Sequence, residues 1–326
     1  MNPLFHSVIL DCTGATTAQE TEVIQSLWSG YGSIKRYALT GSKHKSVVVK
    51  HVQPPTGNHH PQGWNSDQSH LRKVKSYEVE RAWYKSFAQE CDDTCRIPKC
   101  FGLESTEDEV LIVLEDLDLA GFPKRLSRVH DQQIFCSLDW LANFHATFMG
   151  EAPIGLWPIG SYWHLETRPD ELAALTDKTL KEAAPLIDLA LTATPFQTLI
   201  HGDAKLANFC FSNDGNKVAA VDFQYVGGGC GMKDLSYLLG SCWDDKTCEK
   251  REGEVLDYYF VRLCESLRAK GKKLDLAALE ANWRGLYPVA WADFHRFLKG
   301  WSPGHWKLNS YSERITKEVI QGLSKR

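Results

Sequence analysis

The texture of the chain changes at Leu117, and that change limits what it can fold into. Before it, SIKRYALT and SVVVKHV are short β-branched or aromatic runs, parted by the turn residues GSKHK, and they predict a hairpin. KCFGLE and EVLIVLEDL predict two more strands joined by the polar STEDE. Between the two pairs, SYEVERAWYKSFAQE sets Val79, Ala82, Trp83 and Phe87 at helical spacing. Beyond Leu117 the pattern is helical: DQQIFCSLDWLANFHATFMG, then ELAALTDKTLKEAAPLIDLAL, then residues 245–268, 274–299 and 310–323. Two short strand candidates, around NFCFS and KVAAVDFQ, interrupt it. The expectation is an α+β chain of two lobes: residues 1–116, an antiparallel sheet carrying one helix, and residues 117–326, mostly helical. The segment LEDLDLAGFP joins them.

Composition excludes some functions. A net charge of -4 over 326 residues gives no sign of a nucleic-acid surface. The start, MNPLFHSVILDCTG, lacks a basic region followed by a long apolar one, so no secretory signal is expected. No apolar run reaches the roughly 18 residues of a membrane span. The ten cysteines then read as reduced thiols of a cytoplasmic protein rather than a disulfide framework. Cys91, Cys95 and Cys100 cluster without a CxxC pair, so ordinary thiols are favoured there over zinc. Residues 53–70, QPPTGNHHPQGWNSDQSH, read as a long connection. A solvated loop is favoured there over a metal site built from His51, His59, His60 and His70.

Polar residues concentrate in LIHGDAKLANFCF, residues 199–211, with apolar residues on both sides. A polar loop held between core segments is a place for chemistry. Asp203 and Asn208 lie five apart with Lys205 between them, and Asp222 follows in VAAVDFQ. Upstream, Lys50 ends a run of three valines and Glu80 lies on the next helix. An ATP-dependent kinase needs a base for the attacking hydroxyl, oxygen ligands for Mg²⁺, and a cation on the phosphates steadied by a carboxylate. These five residues supply all of them.

The order strand-Lys, helix-Glu, LEDL, HGDxxxxN, DFQ resembles the protein-kinase-like phosphotransferases. Within them it is similar to the small-molecule branch of aminoglycoside, choline and ecdysteroid kinase-like enzymes, where HGD replaces HRD and DFQ replaces DFG. LEDL, Glu80–Tyr84, HGD and DFQ together look closest to the ecdysteroid and choline kinase-like group, from about Trp28 to Leu239. The resemblance implies a bilobal protein-kinase-like fold with ATP and Mg²⁺. It makes Asp203 the catalytic base and Asn208 and Asp222 the metal ligands. Lys50 is placed on the α- and β-phosphates and positioned by Glu80, with Glu78 as a near neighbour on the same helix. His201 braces the loop, and Lys205 is a candidate to neutralise the transferring γ-phosphoryl. The Glu115 carbonyl and Leu117 amide are the implied adenine partners.

Other features stay open. SGYGSIK, with Gly30 and Gly32, lies where phosphates are covered, but lacks the third glycine of GxGxxG and reads equally as a hairpin turn. GGGCG at 227–231 reads as a close approach to substrate or as a flexible turn. Asp234 looks like an N-cap of the next helix; the family resemblance makes it a brace for the catalytic loop. Trp283, Tyr287 and Trp291 share a helix face that reads first as core and second as a substrate wall. The basic end QGLSKR argues against an aminoglycoside, and HGD with DFQ against a protein acceptor. The expected partner is a small molecule bearing a hydroxyl. A silent ATP-binding module and a choline/ethanolamine-type kinase are the alternatives. Oligomeric state is open, a monomer being slightly favoured.

Overall fold

Alternation along β-strands decides which side of the N-terminal sheet each residue faces. The computed structural model describes residues 3–27, 30–53, 67–107, 109–323 and 325. The sheet is built from β1 (Thr17–Ser26), β2 (Gly32–Thr40), β3 (Ser46–Val52), β4 (Cys100–Ser105) and β5 (Val110–Glu115). They pair antiparallel in the order β1-β2-β3-β5-β4. In β3, Val47 and Val49 are buried with Phe5 and Ile9 of α1 (Pro3–Thr13). Residues 50 and 52 take the opposite face, where Val52 packs with Tyr77 of α2 (Asp67–Ser86). Lys50 therefore points toward α2.

Among its described residues the region before Leu117 thus carries two α-helices, where the periodicity predicted one. Phe5 and Ile9, an i, i+4 pair, give α1 the apolar stripe that covers the sheet. Helix α2 also starts earlier than expected, because residues 67–70 of the composition-based connection form its first turn. Residues 54–66, including His59 and His60, lie outside the described residues. The other two histidines of that group separate: His51 Nε2 bonds Glu109 at 2.9 Å, and His70 Nδ1 bonds the Tyr31 hydroxyl at 2.5 Å.

After β5 come β6 (Lys124–Arg125), α3 (Asp131–Thr147), α4 (Pro169–Ala174), α5 (Lys178–Thr192), β7 (Thr198–Ile200), β8 (Phe209–Phe211), β9 (Val218–Ala220) and β10 (Gly227–Gly229). Helices α6 (Met232–Cys242), α7 (Asp245–Ala269), α8 (Leu276–Trp301) and α9 (Ser310–Leu323) complete the chain. The single helix expected over 171–191 is two: Leu175 is extended, and Asp177 caps α5 by accepting from the Leu180 amide at 3.1 Å. The glycine run at 227–231 is not a flexible turn. Its first three residues are the buried strand β10, paired with β7. A Cβ on Gly227 would lie 2.2 Å from the Trp157 carbonyl oxygen, so only glycine allows that approach.

One core runs from α2 through α3 to α8. Trp283, Tyr287 and Trp291 belong to it, at 0%, 3% and 2% exposure, and the Trp283 indole donates to the Phe196 carbonyl at 3.0 Å. That face packs core and is no substrate wall. The ten cysteines are free thiols. No described helix is long and apolar enough to cross a membrane.

Candidate active site

The polar loop after β7 is held from below. The Asp234 carboxylate accepts from the His201 amide at 2.6 Å and from the Gly202 amide at 2.9 Å. Asp234 sits inside the first turn of α6, which Gly231 precedes as N-cap, so its role is to brace the loop and not to cap the helix. His201 is fully buried. Its Nδ1 accepts from the Asp203 amide at 3.2 Å, which leaves Nε2–H to donate to the Val221 carbonyl at 3.0 Å. Both ring nitrogens are therefore occupied by backbone. Gly202 turns the chain at φ 76°, and a Cβ there would lie 2.1 Å from the Tyr225 carbonyl oxygen.

Asp203 follows, 6% exposed. Its Oδ2 accepts from Lys205 Nζ at 2.9 Å and from Asn208 Nδ2 at 3.0 Å. Its Oδ1 is buried with no hydrogen-bond partner of good geometry among the described residues. Burial pushes the carboxyl above its ordinary pKa, against Lys205, which draws it down. Burial, and then this carboxylate, raise the pKa of the Tyr237 hydroxyl, so Asp203 stands beside a hydroxyl as a proton acceptor would.

The second half of the site converges from the sheet and α2. Lys50 and Glu80, 3% and 2% exposed, pair at 2.6 Å. Glu78 points away, exposed beside Lys75. Lys50 Nζ also lies 3.6 Å from Asp222 Oδ1. Burial alone lowers the Lys50 pKa, but Glu80 and Asp222 outweigh it and hold the amine above its ordinary value. Asp222 is likewise pushed up by burial, yet Lys50, Lys205 and Lys73 keep it below the usual range. Asp222 adopts φ 69°, a left-handed conformation costly for a residue other than glycine. The next residue explains why it is tolerated: Phe223 stacks on Trp83 of α2, centroids 4.6 Å apart, and lies 4.7 Å from the His201 ring. The packed phenyl locks α2 to the polar loop.

The Asn208 carbonyl accepts from the Val221 amide at 3.0 Å, which holds Asn208 beside the segment bearing Asp222. Asn208 Nδ2 is turned to Asp203, which frees its Oδ1. Asn208 and Asp222 thus offer hard oxygens, a donor set that fits Mg²⁺ better than zinc. Among the described residues no group of three or more His, Cys, Asp or Glu is placed to hold a metal. An ion held by Asn208 and Asp222 would draw its other ligands from water and phosphate, as Mg²⁺ commonly does.

At the end of β5, Glu115 pairs with Arg96, and the Leu117 carbonyl accepts from the Phe122 amide at 2.8 Å. Asp116 between them is buried and ties this exit to the sheet, accepting from Arg36 Nε at 2.9 Å and Ser46 Oγ at 2.5 Å. Gly30, in the β1–β2 connection, and Gly32, the first residue of β2, adopt φ 77° and 126°; Ser29 lies outside the described residues. A Cβ on Gly32 would lie 2.0 Å from the His51 carbonyl oxygen.

Sequence reasoning missed Asp116, Lys73 and Gln224. Lys73, Tyr77 and Glu80 fall at i, i+4, i+7, so the helical face of Glu80 was the available signal for Lys73. Near Asp203 it also missed Tyr237 and Lys307. The Tyr237 hydroxyl donates to the Tyr162 hydroxyl at 3.2 Å, and Lys307 Nζ lies 4.6 Å from the Tyr237 ring centre.

A sequence profile of the ecdysteroid kinase-like family matches residues 34–150 and 160–271. No protein of curated function matches the chain by sequence. Among solved structures the chain is similar to a choline kinase from Cryptosporidium parvum Iowa II, at 11% identity and TM-score 0.52, covering 94% of this chain and 89% of that one. It is also similar to an aminoglycoside phosphotransferase from Streptomyces rimosus ATCC10970, in complex with ADP and streptomycin. There the identity is 14% and the TM-score 0.49, with 88% of this chain and 98% of that one covered. At such identities the likeness to the choline kinase speaks for the fold alone.

Proposed function

Because the chain belongs to the ecdysteroid kinase-like family, we propose that it is an ATP- and Mg²⁺-dependent phosphotransferase acting on a hydroxyl of a small organic molecule. The observation that carries this reading is the buried Asp203 carboxylate, which feels the charge of Asp222, itself beside the Lys50–Glu80 pair. In this reading the acceptor hydroxyl gives its proton to Asp203 Oδ1 as its oxygen forms a bond to the γ-phosphorus. The bond from that phosphorus to the β-γ bridging oxygen breaks, and ADP leaves with the electron pair. Mg²⁺ supplies charge neutralisation between the phosphates. Asn208 and Asp222 hold it, and Lys50 grips the α- and β-phosphates with Glu80 fixing its amine. Lys205, steadied by Asp203, neutralises the transferring group. Glu115 and Leu117 present backbone to adenine, and Gly30 and Gly32 stand on the side where the phosphates are covered. No covalent intermediate is needed; the work is positioning and charge stabilisation.

The acceptor side supports an uncharged alcohol over an amino alcohol. Tyr162 and Tyr237 stand there with Lys205 and Lys307, and both tyrosines feel the charge of Asp203. A quaternary ammonium would meet Lys307 there, while Lys205 is already paired with Asp203. A hydroxyl-bearing apolar molecule, such as the steroid in the family name, brings no positive charge to this side.

The test combines binding and turnover. Mg·ATP raises the melting temperature of the wild type by mass action, and Asp222→Ala removes most of that rise. ATP consumption is then followed across a panel of steroid alcohols, simple alcohols, choline and ethanolamine. If wild type and Asp203→Ala are equally inert while Mg·ATP still stabilises, the chain is a binding module and the enzymatic reading fails.

A further inference from the structure

Among the described residues no carboxylate pairs directly with the Lys73 ammonium. Its Nζ donates to the neutral Gln224 Oε1 at 2.9 Å. An ammonium has three donors, so two are left for another acceptor. The amine lies 4.7 Å from the Tyr77 ring centre, and Lys50 Nζ lies 5.7 Å from the same ring. The two cations are therefore neighbours around one phenol. Burial draws the Lys73 pKa down to about 8, with Asp222 opposing and Lys50 adding to the fall.

Gln224 holds this amine in place. It is 5% exposed, and its backbone carbonyl accepts from the Trp157 indole at 2.8 Å. Its Oε1 also accepts from Ser76 Oγ at 3.1 Å, and its Nε2 donates to Asp222 Oδ1 at 2.8 Å. This orientation is determined chemically: a flipped amide would set NH₂ against the ammonium and oxygen against the carboxylate. Gln224 thus spans from α2 to Asp222. Within the β1–β2 connection the Gly30 amide is occupied by the Leu27 carbonyl at 3.2 Å.

We propose that Lys73 is a second phosphate-binding cation of the nucleotide site, positioned by Gln224. The proposal rests on the nucleotide reading above. Helix α2 would then serve the phosphates twice, through Glu80 acting on Lys50 and through Lys73 directly. A half-buried, hydrogen-bonded ammonium with donors to spare binds phosphate oxygens more strongly than fully exposed lysines do.

Calorimetric titration of the full chain with Mg·ATP, Mg·ADP and adenosine tests it. Lys73→Met should weaken both nucleotides by on the order of tenfold, the scale of one charge-assisted hydrogen bond, and leave adenosine unchanged. Lys73→Arg should recover part of the loss, and Gln224→Ala should weaken the nucleotides but not adenosine. Nucleotide affinities within about twofold of wild type in Lys73→Met, well under the effect of such a bond, overturn the proposal. So does a parallel loss of adenosine binding, which would mean a general packing role. If the wild type binds neither nucleotide, the nucleotide reading itself falls, a result distinct from either of these.

Discussion

Asp234 holds His201 by its backbone: the carboxylate accepts the His201 amide at 2.6 Å, and its other oxygen takes the next amide, that of Gly202. His145 Nε2 stands 3.2 Å from the same carboxylate. A single buried side chain thus sets the direction in which the loop enters the site. Asp234→Ala leaves two buried amides without acceptors. Hydrogen bonds to a charged group are worth about 1.5–3 kcal/mol each, so a stability loss of at least that size is expected by urea denaturation. Asp234→Asn should also lose stability, because its amide nitrogen cannot accept from the second N–H.

The buried Lys50–Glu80 pair should show strong coupling. Lys50→Met leaves the Glu80 carboxylate buried and unpaired, and a broken buried pair costs about 3–5 kcal/mol. Lys50→Met with Glu80→Leu replaces both charges and should be more stable than Lys50→Met alone. A double-mutant cycle from chemical denaturation reads this directly; additive losses would mean the pair does not act as a unit.

Gly202→Ala should fail on two grounds. The position has φ 76°, and a Cβ would lie 2.8 Å from the Ser161 amide as well as against the Tyr225 carbonyl. Overpacking of this kind typically costs about 1–3 kcal/mol, and the left-handed conformation adds to it. The expected result is a lower melting temperature together with a loss of Mg·ATP stabilisation, read in one thermal-shift series. Gly253→Ala, where a Cβ meets nothing within 4 Å, serves as the control.

Asp293 gives a pH dependence. Its carboxylate is buried between Lys233 Nζ at 3.2 Å, Arg296 at 2.8 Å and the Trp163 indole at 3.0 Å. Burial pushes its pKa up, but Lys233 and Arg296 prevail and hold it at about 2. A depressed acid stabilises the fold above its unfolded pKa of about 3.9. That contribution, about 2 kcal/mol, is lost as pH falls from about 4 through about 2. Urea midpoints at pH 5 and pH 2.5 should therefore differ more in the wild type than in Asp293→Asn. Equal acid slopes would remove Asp293 from the account.

Much of the site was legible because chemistry clusters along the chain. Asp203, Lys205 and Asn208 belong to one loop, and Asp222 follows one hairpin later. Lys50 was legible from its place after three valines, since alternation sets its face once the sheet is known. What stayed hidden depended on partners far away in sequence. Gln224 meets Lys73 across 151 positions, and Asp116 meets Arg36 across 80. Helix α1 was legible and passed over: Phe5, Val8, Ile9 and Cys12 fall at i, i+3, i+4, i+7 and pack with the sheet.

The sequence by itself determined which groups are present, their order, and the strand and helix periods that set them at fixed angles to one another. The tertiary structure alone decided how those periods are turned. Helical spacing relates Glu78 to Glu80 but does not say which faces the sheet; the packing of Trp83 on Phe223 rotates α2 so that Glu80 meets Lys50. The same holds for Asp234, a first-turn acid whose partners are backbone amides of another segment, and for the glycines of β10, whose neighbour is the carbonyl of Trp157. Local spacing carries angles; only burial against a distant surface selects among them.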